Sequence, residues 1–161
     1  MSQFSWLAVI NELKKFVFFE PVKEGEMDIG NIITTILTIT YLDFQETNTN
    51  FSVSLQIDRS NNYYSFYRAQ CPHCDEFGAD LEFRLPNHDT SRPSLLIVTF
   101  NNPTTRIDFV RQLINAEPSS IQPIMSDPPR TSVTYDLRNG PISFNFVGNT
   151  DQRLRSISIT R

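Results

Sequence analysis

Apolar and polar residues alternate over much of the chain, and this pattern predicts strands. In residues 51–57, phenylalanine, valine, leucine and isoleucine share one parity, while serine and glutamine take the other, as in a half-buried strand. Residues 32–42 are rich in isoleucine and threonine, which favour a pleated surface. The polar residues 43–50 between them are too few for a parallel crossover. We therefore predict that residues 32–42 and 51–57 form a central antiparallel pair.

Six further segments show the same alternation or an apolar run of strand length. They are residues 63–68, 81–85, 95–100, 133–137, 142–147 and 154–160. Asn139 and Gly140 separate two of these segments, and this dipeptide favours a two-residue hairpin turn. We predict that the two segments pair as an antiparallel hairpin.

Helical spacing of apolar residues occurs in two places. Residues 5–19 carry apolar side chains on one stripe and Glu12, Lys14 and Lys15 on the other, which predicts an N-terminal helix. Phe18 and Phe19 extend the apolar surface beyond that stripe, and we interpret them as candidate interaction residues.

A second helix is predicted to begin near Asn102 and Pro103, because asparagine caps a helix well and proline suits the first helical position. Pro118 is expected to end it.

A proline-rich segment follows, from Glu117 to Thr131 (residues 117–131). It contains four prolines, so we predict a long irregular loop. Ile121, Ile124 and Met125 lie within it, and long loops often carry function. We therefore predict that these three residues contact a partner.

These elements define a fold class. The order of one helix, several strands, one helix and three strands differs from the regular alternation of a parallel α/β fold. We predict a single α+β domain over residues 1–161. Its core would be a curved or barrel-like antiparallel sheet of about seven to eight strands, with an N-terminal helix and one inserted helix.

Composition and charge exclude some functions. The net charge of −4 disfavours nucleic acid as a general partner, because a protein that coats phosphates needs positive charge. No stretch approaches the roughly 20 apolar residues that span a bilayer. The N-terminal segment lacks the basic region of a secretory signal. We expect a cytoplasmic or intracellular protein, or a virion protein if the chain is viral.

The segment Cys71-Pro72-His73-Cys74 is the one short motif with chemistry in it, and three interpretations stay open. It resembles the active site of thioredoxin-fold disulfide oxidoreductases, which implies redox chemistry at Cys71 and Cys74. However, those proteins place the motif at the start of a long helix, and here a strand pattern follows closely. Cys71, Cys74 and His88 could instead be part of a structural zinc site, which needs four ligands. The interpretation we favour is two free thiols in a turn, with no cofactor.

Motifs of other enzyme classes are missing from the sequence. It contains neither a glycine-rich phosphate loop nor the GxSxG and HExxH patterns. We therefore predict a non-enzymatic structural or protein-interaction subunit of a larger assembly, with a protein partner or self-assembly. Abundant asparagine, threonine, serine and phenylalanine with scarce lysine would suit a phage or viral structural component.

Three alternative functions remain open. The first is a thiol redox protein using Cys71 and Cys74. The second is an acidic inhibitor or immunity-type protein. The third is a β domain that binds a small apolar ligand in a pocket lined by five aromatic residues. These five residues are Tyr63, Tyr67, Phe83, Tyr135 and Phe144.

Overall fold

A computed structural model describes residues 28–39, 41–71, 78–88 and 91–161. Within these ranges there are three helices: α1 (Ile29–Thr38), α2 (Phe44–Phe51) and α3 (Ile107–Ile114). The strands are β1 (Gln56–Ser60), β2 (Tyr64–Gln70), β3 (Ala79–Pro86), β4 (Leu95–Phe100), β5 (Ser120–Ile124), β6 (Arg130–Leu137), β7 (Gly140–Val147) and β8 (Arg153–Thr160). The N-terminal helix predicted for residues 5–19 lies outside the described residues.

The eight strands form one antiparallel sheet in the order β1-β2-β3-β4-β8-β7-β6-β5. Strands that are neighbours in the chain are neighbours in the sheet, except for β4 and β5, which are separated by β8, β7 and β6. The sheet is not closed into a barrel, and β1 and β5 form its two edges. The predicted α+β class and strand number are therefore confirmed.

One face of the sheet forms the hydrophobic core. A row of buried side chains crosses the sheet in register, and it runs through Phe83, Leu96, Ile159, Ile142 and Tyr135. Apolar side chains from all three helices join the same cluster of buried residues. Burial of such side chains contributes most of the free energy that favours folding.

The opposite face of the sheet is mostly polar, although Phe66 and Ile97 also lie on it. In β6 and β7 the Thr134 and Ser143 hydroxyls hydrogen-bond each other at 2.8 Å, and the Asn145 amide donates to the Ser156 hydroxyl at 3.2 Å. This division into an apolar and a polar face follows from the two-residue period of a strand.

The predicted strand over residues 32–42 is wrong, because this segment contains helix α1. The side chain of Asp28 accepts a hydrogen bond from the Asn31 backbone N–H at 2.6 Å and so caps the helix start. Ile32, Ile33 and Ile36 are buried together on one side of the helix. A short run rich in apolar residues fits the residue spacing of a helix as well as that of a strand. Here the Asp28 cap and the burial of the three isoleucines in the core favour the helix.

The predicted strand over residues 51–57 is also wrong, except that its last two residues, Gln56 and Ile57, begin β1. The polar residues 43–50, interpreted as a hairpin connection, contain most of α2. The Asp43 side chain accepts the Glu46 backbone N–H at 2.7 Å, and Ser52 ends the helix in the left-handed conformation with φ of 50°. The sheet therefore begins only at β1, and the expected central strand pair does not exist.

The remaining elements agree more closely with the alternation pattern. Leu137 pairs with Gly140, so Arg138 and Asn139 form the hairpin turn, one residue earlier than the predicted Asn139-Gly140. Gly140 begins β7 with φ of +104°, a value that favours glycine. Helix α3 begins at Ile107, later than predicted, and Asn115 ends it with φ of 49°. The segment 117–131 is not irregular throughout, because it contains the edge strand β5.

Candidate functional site

The edge strand β5 and the residue after it carry large apolar side chains that are exposed. The exposed fractions are 52% for Ile121, 42% for Ile124 and 98% for Met125. Ile121 pairs with Val133 and Ile124 with Arg130, so the two isoleucines point to opposite faces of the sheet. We call these three residues the β5 edge patch. From the sequence, the same three residues were predicted to contact a partner, but as part of an irregular loop.

Pro123 limits how a partner can contact this edge. A proline has no backbone N–H, so in a sheet it is accommodated where its nitrogen lies away from the neighbouring strand. Pro123 pairs with Thr131 in β6, and its other side is the free edge. That edge therefore lacks one donor that an added strand would need. Contact at the β5 edge patch is consequently expected through side chains.

A cleft of about 490 Å³ lies beside this edge. Its walls are formed by the end of α3, the residues that directly follow this helix, and strands β5 and β6. The cleft is lined by Arg111, Asn115, Ala116, Glu117, Pro118, Ile121 and Tyr135. Its volume is within the range typical of small-molecule sites.

Tyr135 is the least exposed residue of this cleft. Only 1% of its surface is exposed, and its ring packs edge-on against Phe144 with centroids 5.8 Å apart. The charges of Arg111 and Glu117 both act on the phenol, so the hydroxyl end of the side chain lies at the cleft. Among the described residues, this hydroxyl has no hydrogen-bond partner. This oxygen is not among the side-chain atoms that are shielded from water, so it reaches the surface of the cleft.

The electrostatics keep this phenol protonated. Burial raises the pKa of Tyr135; the positive charge of Arg111 opposes the rise and the negative charge of Glu117 adds to it. At neutral pH the hydroxyl is therefore an available hydrogen-bond donor. Arg111 and Glu117 are both exposed and form no ion pair within the described part of the chain. The cleft thus presents a donor, a cation and an anion that are all unpaired.

A second cleft, of about 540 Å³, lies near the start of α3. There Arg153 contacts Asp151 through two nitrogens, at 2.8 Å and 2.6 Å, and Arg106 approaches the same carboxylate at 3.3 Å. Arg153 also donates to the Thr104 carbonyl. Because these charged groups already bind one another, they stabilise the local structure and are not available to bind a charged ligand.

The polar face of the sheet carries a charged cluster around Glu82. Its carboxylate accepts hydrogen bonds from Arg84 at 2.6 Å and from Arg68 at 3.0 Å. The guanidinium carbons of Arg59 and Arg84 lie 4.6 Å and 5.2 Å from the centre of the Phe66 ring. Burial alone would raise the pKa of Glu82, but the hydrogen bonds from Arg84 and Arg68 outweigh it and lower that pKa below its usual value.

We expect the contribution of Glu82 to stability to depend on pH. Because the pKa is lowered in the folded state, the stabilisation is complete above the unfolded-state value of 4.5 and is lost as the pH falls through the folded-state value. Glu82→Gln should therefore lower the free energy of unfolding by about 1 kcal/mol at neutral pH. Urea unfolding at neutral pH and at about pH 3 measures this difference.

The control for this experiment is Asp136→Asn, which removes an exposed carboxylate from β6. It should change stability by less than about 0.5 kcal/mol at both pH values. A Glu82→Gln deficit that stays the same at low pH would contradict the role of the ionised carboxylate.

The predicted metal residues are not gathered into a site in the described structure. Cys71 is buried and disulfide-bonded, so the interpretation of Cys71 as a free thiol is wrong, and in this state it has no thiolate for a metal. His88 is exposed after the end of β3. The described ranges contain no group of three or more histidine, cysteine, aspartate or glutamate side chains placed to hold a metal. Cys74, Phe18 and Phe19 lie outside the described residues.

The five aromatic residues proposed to line an apolar pocket lie in different places. Phe83 and Phe144 are completely buried in the core, whereas Tyr63 is 55% exposed. Tyr67 packs against Phe44 with ring centroids 4.9 Å apart. The structure therefore does not bring the five together, and of them only Tyr135 lines a described cleft.

Comparisons with protein-family models, with curated proteins and with solved structures found no match for this chain. The fold and the site therefore define it as an α+β domain with an antiparallel sheet, one apolar strand edge and an adjacent polar cleft. None of its helices in the described ranges has the length and apolar content needed to cross a membrane.

Proposed function

We propose that this protein is a non-enzymatic subunit of a larger assembly, in which copies of the chain meet at the β5 edge patch. The observation that carries this proposal is the exposure of Ile121, Ile124 and Met125 at one edge of the sheet. Exposed apolar groups gain about 25 cal/mol for each Å² removed from water. A strand edge that exposes apolar side chains is a site where another chain can associate.

A second copy of the chain is the partner that this surface suits. In a twofold contact the same patch is used by both subunits, so the apolar side chains of each copy would cover those of the other. Pro123 disfavours direct hydrogen bonding of the two edges, which leaves side-chain packing as the mode of contact. Such a subunit would suit a phage or viral structural component, the source that the composition led us to expect.

The native mass of the purified protein tests this proposal. We expect discrete multiples of 18.6 kDa in sedimentation or light-scattering measurements over a range of concentrations. Replacing Ile121, Ile124 and Met125 together by serine should reduce the mass to that of the monomer. All three side chains are exposed, so the free energy of unfolding of the isolated subunit should change by less than about 1 kcal/mol.

Ile57→Ser provides the matched control. Ile57 is 64% exposed on β1, at the opposite edge of the sheet, so the substitution also removes an exposed apolar side chain from an edge strand. It should leave the native mass unchanged. A monomeric mass for the unmodified protein at every concentration would overturn the proposal, and so would a multimer that survives the triple substitution.

A further inference from the structure

The cleft beside the β5 edge patch shares Ile121 with it, but the polar groups of the cleft are not used by the proposed assembly. It combines the unpartnered Tyr135 hydroxyl with two charged side chains of opposite sign, Arg111 and Glu117. In the other described cleft, Asp151 binds both Arg106 and Arg153. The cleft at Tyr135 therefore leaves its polar groups free for a ligand.

We propose that this cleft binds a small zwitterion of amino-acid size with an apolar side chain. Its carboxylate would contact the Arg111 guanidinium and accept a hydrogen bond from the Tyr135 hydroxyl, and its ammonium group would contact Glu117.

The carboxylate of such a ligand would accept a hydrogen bond from the Tyr135 hydroxyl, which has no partner among the described residues. Tyr135 is almost completely buried, so its hydroxyl can reach a partner only on the side of the cleft. A protonated phenol donates its hydrogen bond best to a charged acceptor. Arg111 supplies the positive charge beside it, and guanidinium groups bind carboxylates in a fixed two-pronged geometry.

The cleft lies at the C-terminal end of α3, and this position favours binding of the ligand's ammonium group. The last carbonyls of a helix lack partners within the helix and carry a partial negative charge. Here Asn115 ends the helix in the left-handed conformation, and Glu117 follows two residues later. This end of the cleft therefore attracts a cation.

Part of the remaining wall of the cleft is apolar, beside the polar side chain of Asn115. Ala116, Pro118 and the half-exposed side chain of Ile121 line it together with the polar groups. They would cover an aliphatic side chain, whose burial contributes about 0.8 kcal/mol for each methylene group. A cleft of about 490 Å³ accommodates a molecule of this size.

The test uses L-leucine and L-methionine as probes, with the ¹H–¹⁵N spectrum of the full-length protein as the readout. We expect either amino acid to shift the backbone resonances of Ala116, Ile121 and Tyr135 at about millimolar concentration. Two singly charged analogues provide the comparison. 3-Methylbutylamine lacks the carboxylate of leucine and 4-methylpentanoate lacks the ammonium group, so each should bind at least about tenfold more weakly.

Tyr135→Phe removes only the hydroxyl and keeps the ring in the core. It should weaken amino-acid binding at least about tenfold. Arg138→Gln is the matched control, because it removes an exposed arginine near the β6–β7 turn and outside the cleft, and it should leave binding unchanged. The unfolding transition of Tyr135→Phe shows independently that the variant is folded.

Two results would overturn this inference. One is the absence of localised shifts with both amino acids at about 10 mM. The other is equal binding of leucine to the unmodified protein and to Tyr135→Phe. Neither result bears on the proposed assembly, because Tyr135→Phe leaves the β5 edge patch unchanged.

Discussion

Replacing Phe144 by alanine is expected to lower the free energy of unfolding by about 3–5 kcal/mol. Phe144 is completely buried in the middle of β7, where it pairs with Val133 on one side and Ile157 on the other. Its ring also packs edge-on against Tyr135. Alanine would leave a cavity between three strands, and neighbouring side chains fill such a space only in part. Urea unfolding followed by circular dichroism measures the loss.

Phe144→Leu is the control for this prediction. Leucine keeps most of the buried volume, so we expect a loss of about 1–1.5 kcal/mol. A small domain is stabilised by only about 5–15 kcal/mol in total, so the alanine variant should unfold at a clearly lower denaturant concentration. A loss below about 1 kcal/mol for alanine would show that position 144 is not in the core.

Replacing Thr35 by proline should lower the free energy of unfolding by about 3 kcal/mol or more. Thr35 lies in the interior of α1 (Ile29–Thr38). Proline there would remove a backbone hydrogen bond and place its ring against the preceding helical turn. Because Ile32, Ile33 and Ile36 belong to the core, a break in this helix would also disturb packing against the sheet. Thermal and urea unfolding measure the effect.

Thr35→Ala distinguishes a helix from the strand that the local pattern suggested. Alanine favours a helix by about 0.5 kcal/mol over threonine, whereas alanine is disfavoured in strands. We therefore expect this variant to be slightly more stable than the unmodified protein. A stable proline variant, or an alanine variant that loses about 1 kcal/mol, would contradict the helix.

Strand prediction succeeded where one face of a strand is polar and the other is buried. In β6, β7 and β8 the buried residues alternate with half-buried or exposed ones, and the same alternation is visible in the sequence. A hairpin turn beside Gly140 was predictable as well, because asparagine and glycine favour tight turns, but the two turn residues are Arg138 and Asn139 and not Asn139 and Gly140. β5 was missed, since prolines within and around it obscure a strand of five residues.

The prediction failed in residues 32–57, where α1 and α2 replace the expected strand pair. The isoleucines and threonines of α1 have a local preference for strands, but packing against the sheet can override such a preference. For α2 a local signal was present and was overlooked. Asp43 followed three residues later by Glu46 is typical of a helix start.

The candidate site was predictable only in part. Ile121, Ile124 and Met125 were recognised because apolar residues stand out in a polar, proline-rich segment. Arg111 and Glu117 were missed as members of a cleft, since each is an ordinary exposed charged residue in its local context. Tyr135 was expected to face an apolar pocket, and only the structure shows its hydroxyl beside these two charges.

Residue spacing and turn chemistry were enough to predict the α+β class, the antiparallel C-terminal strands with their hairpin, and the apolar residues of the β5 edge patch. These features depend on residue spacing and turn chemistry, which are local properties of the chain. Only the fold shows that residues 29–38 form a helix, that β8 lies between β4 and β7, and that Tyr135 lines one cleft with Arg111 and Glu117. Those outcomes depend on contacts between residues far apart in the chain, whose packing in the core outweighs local preference.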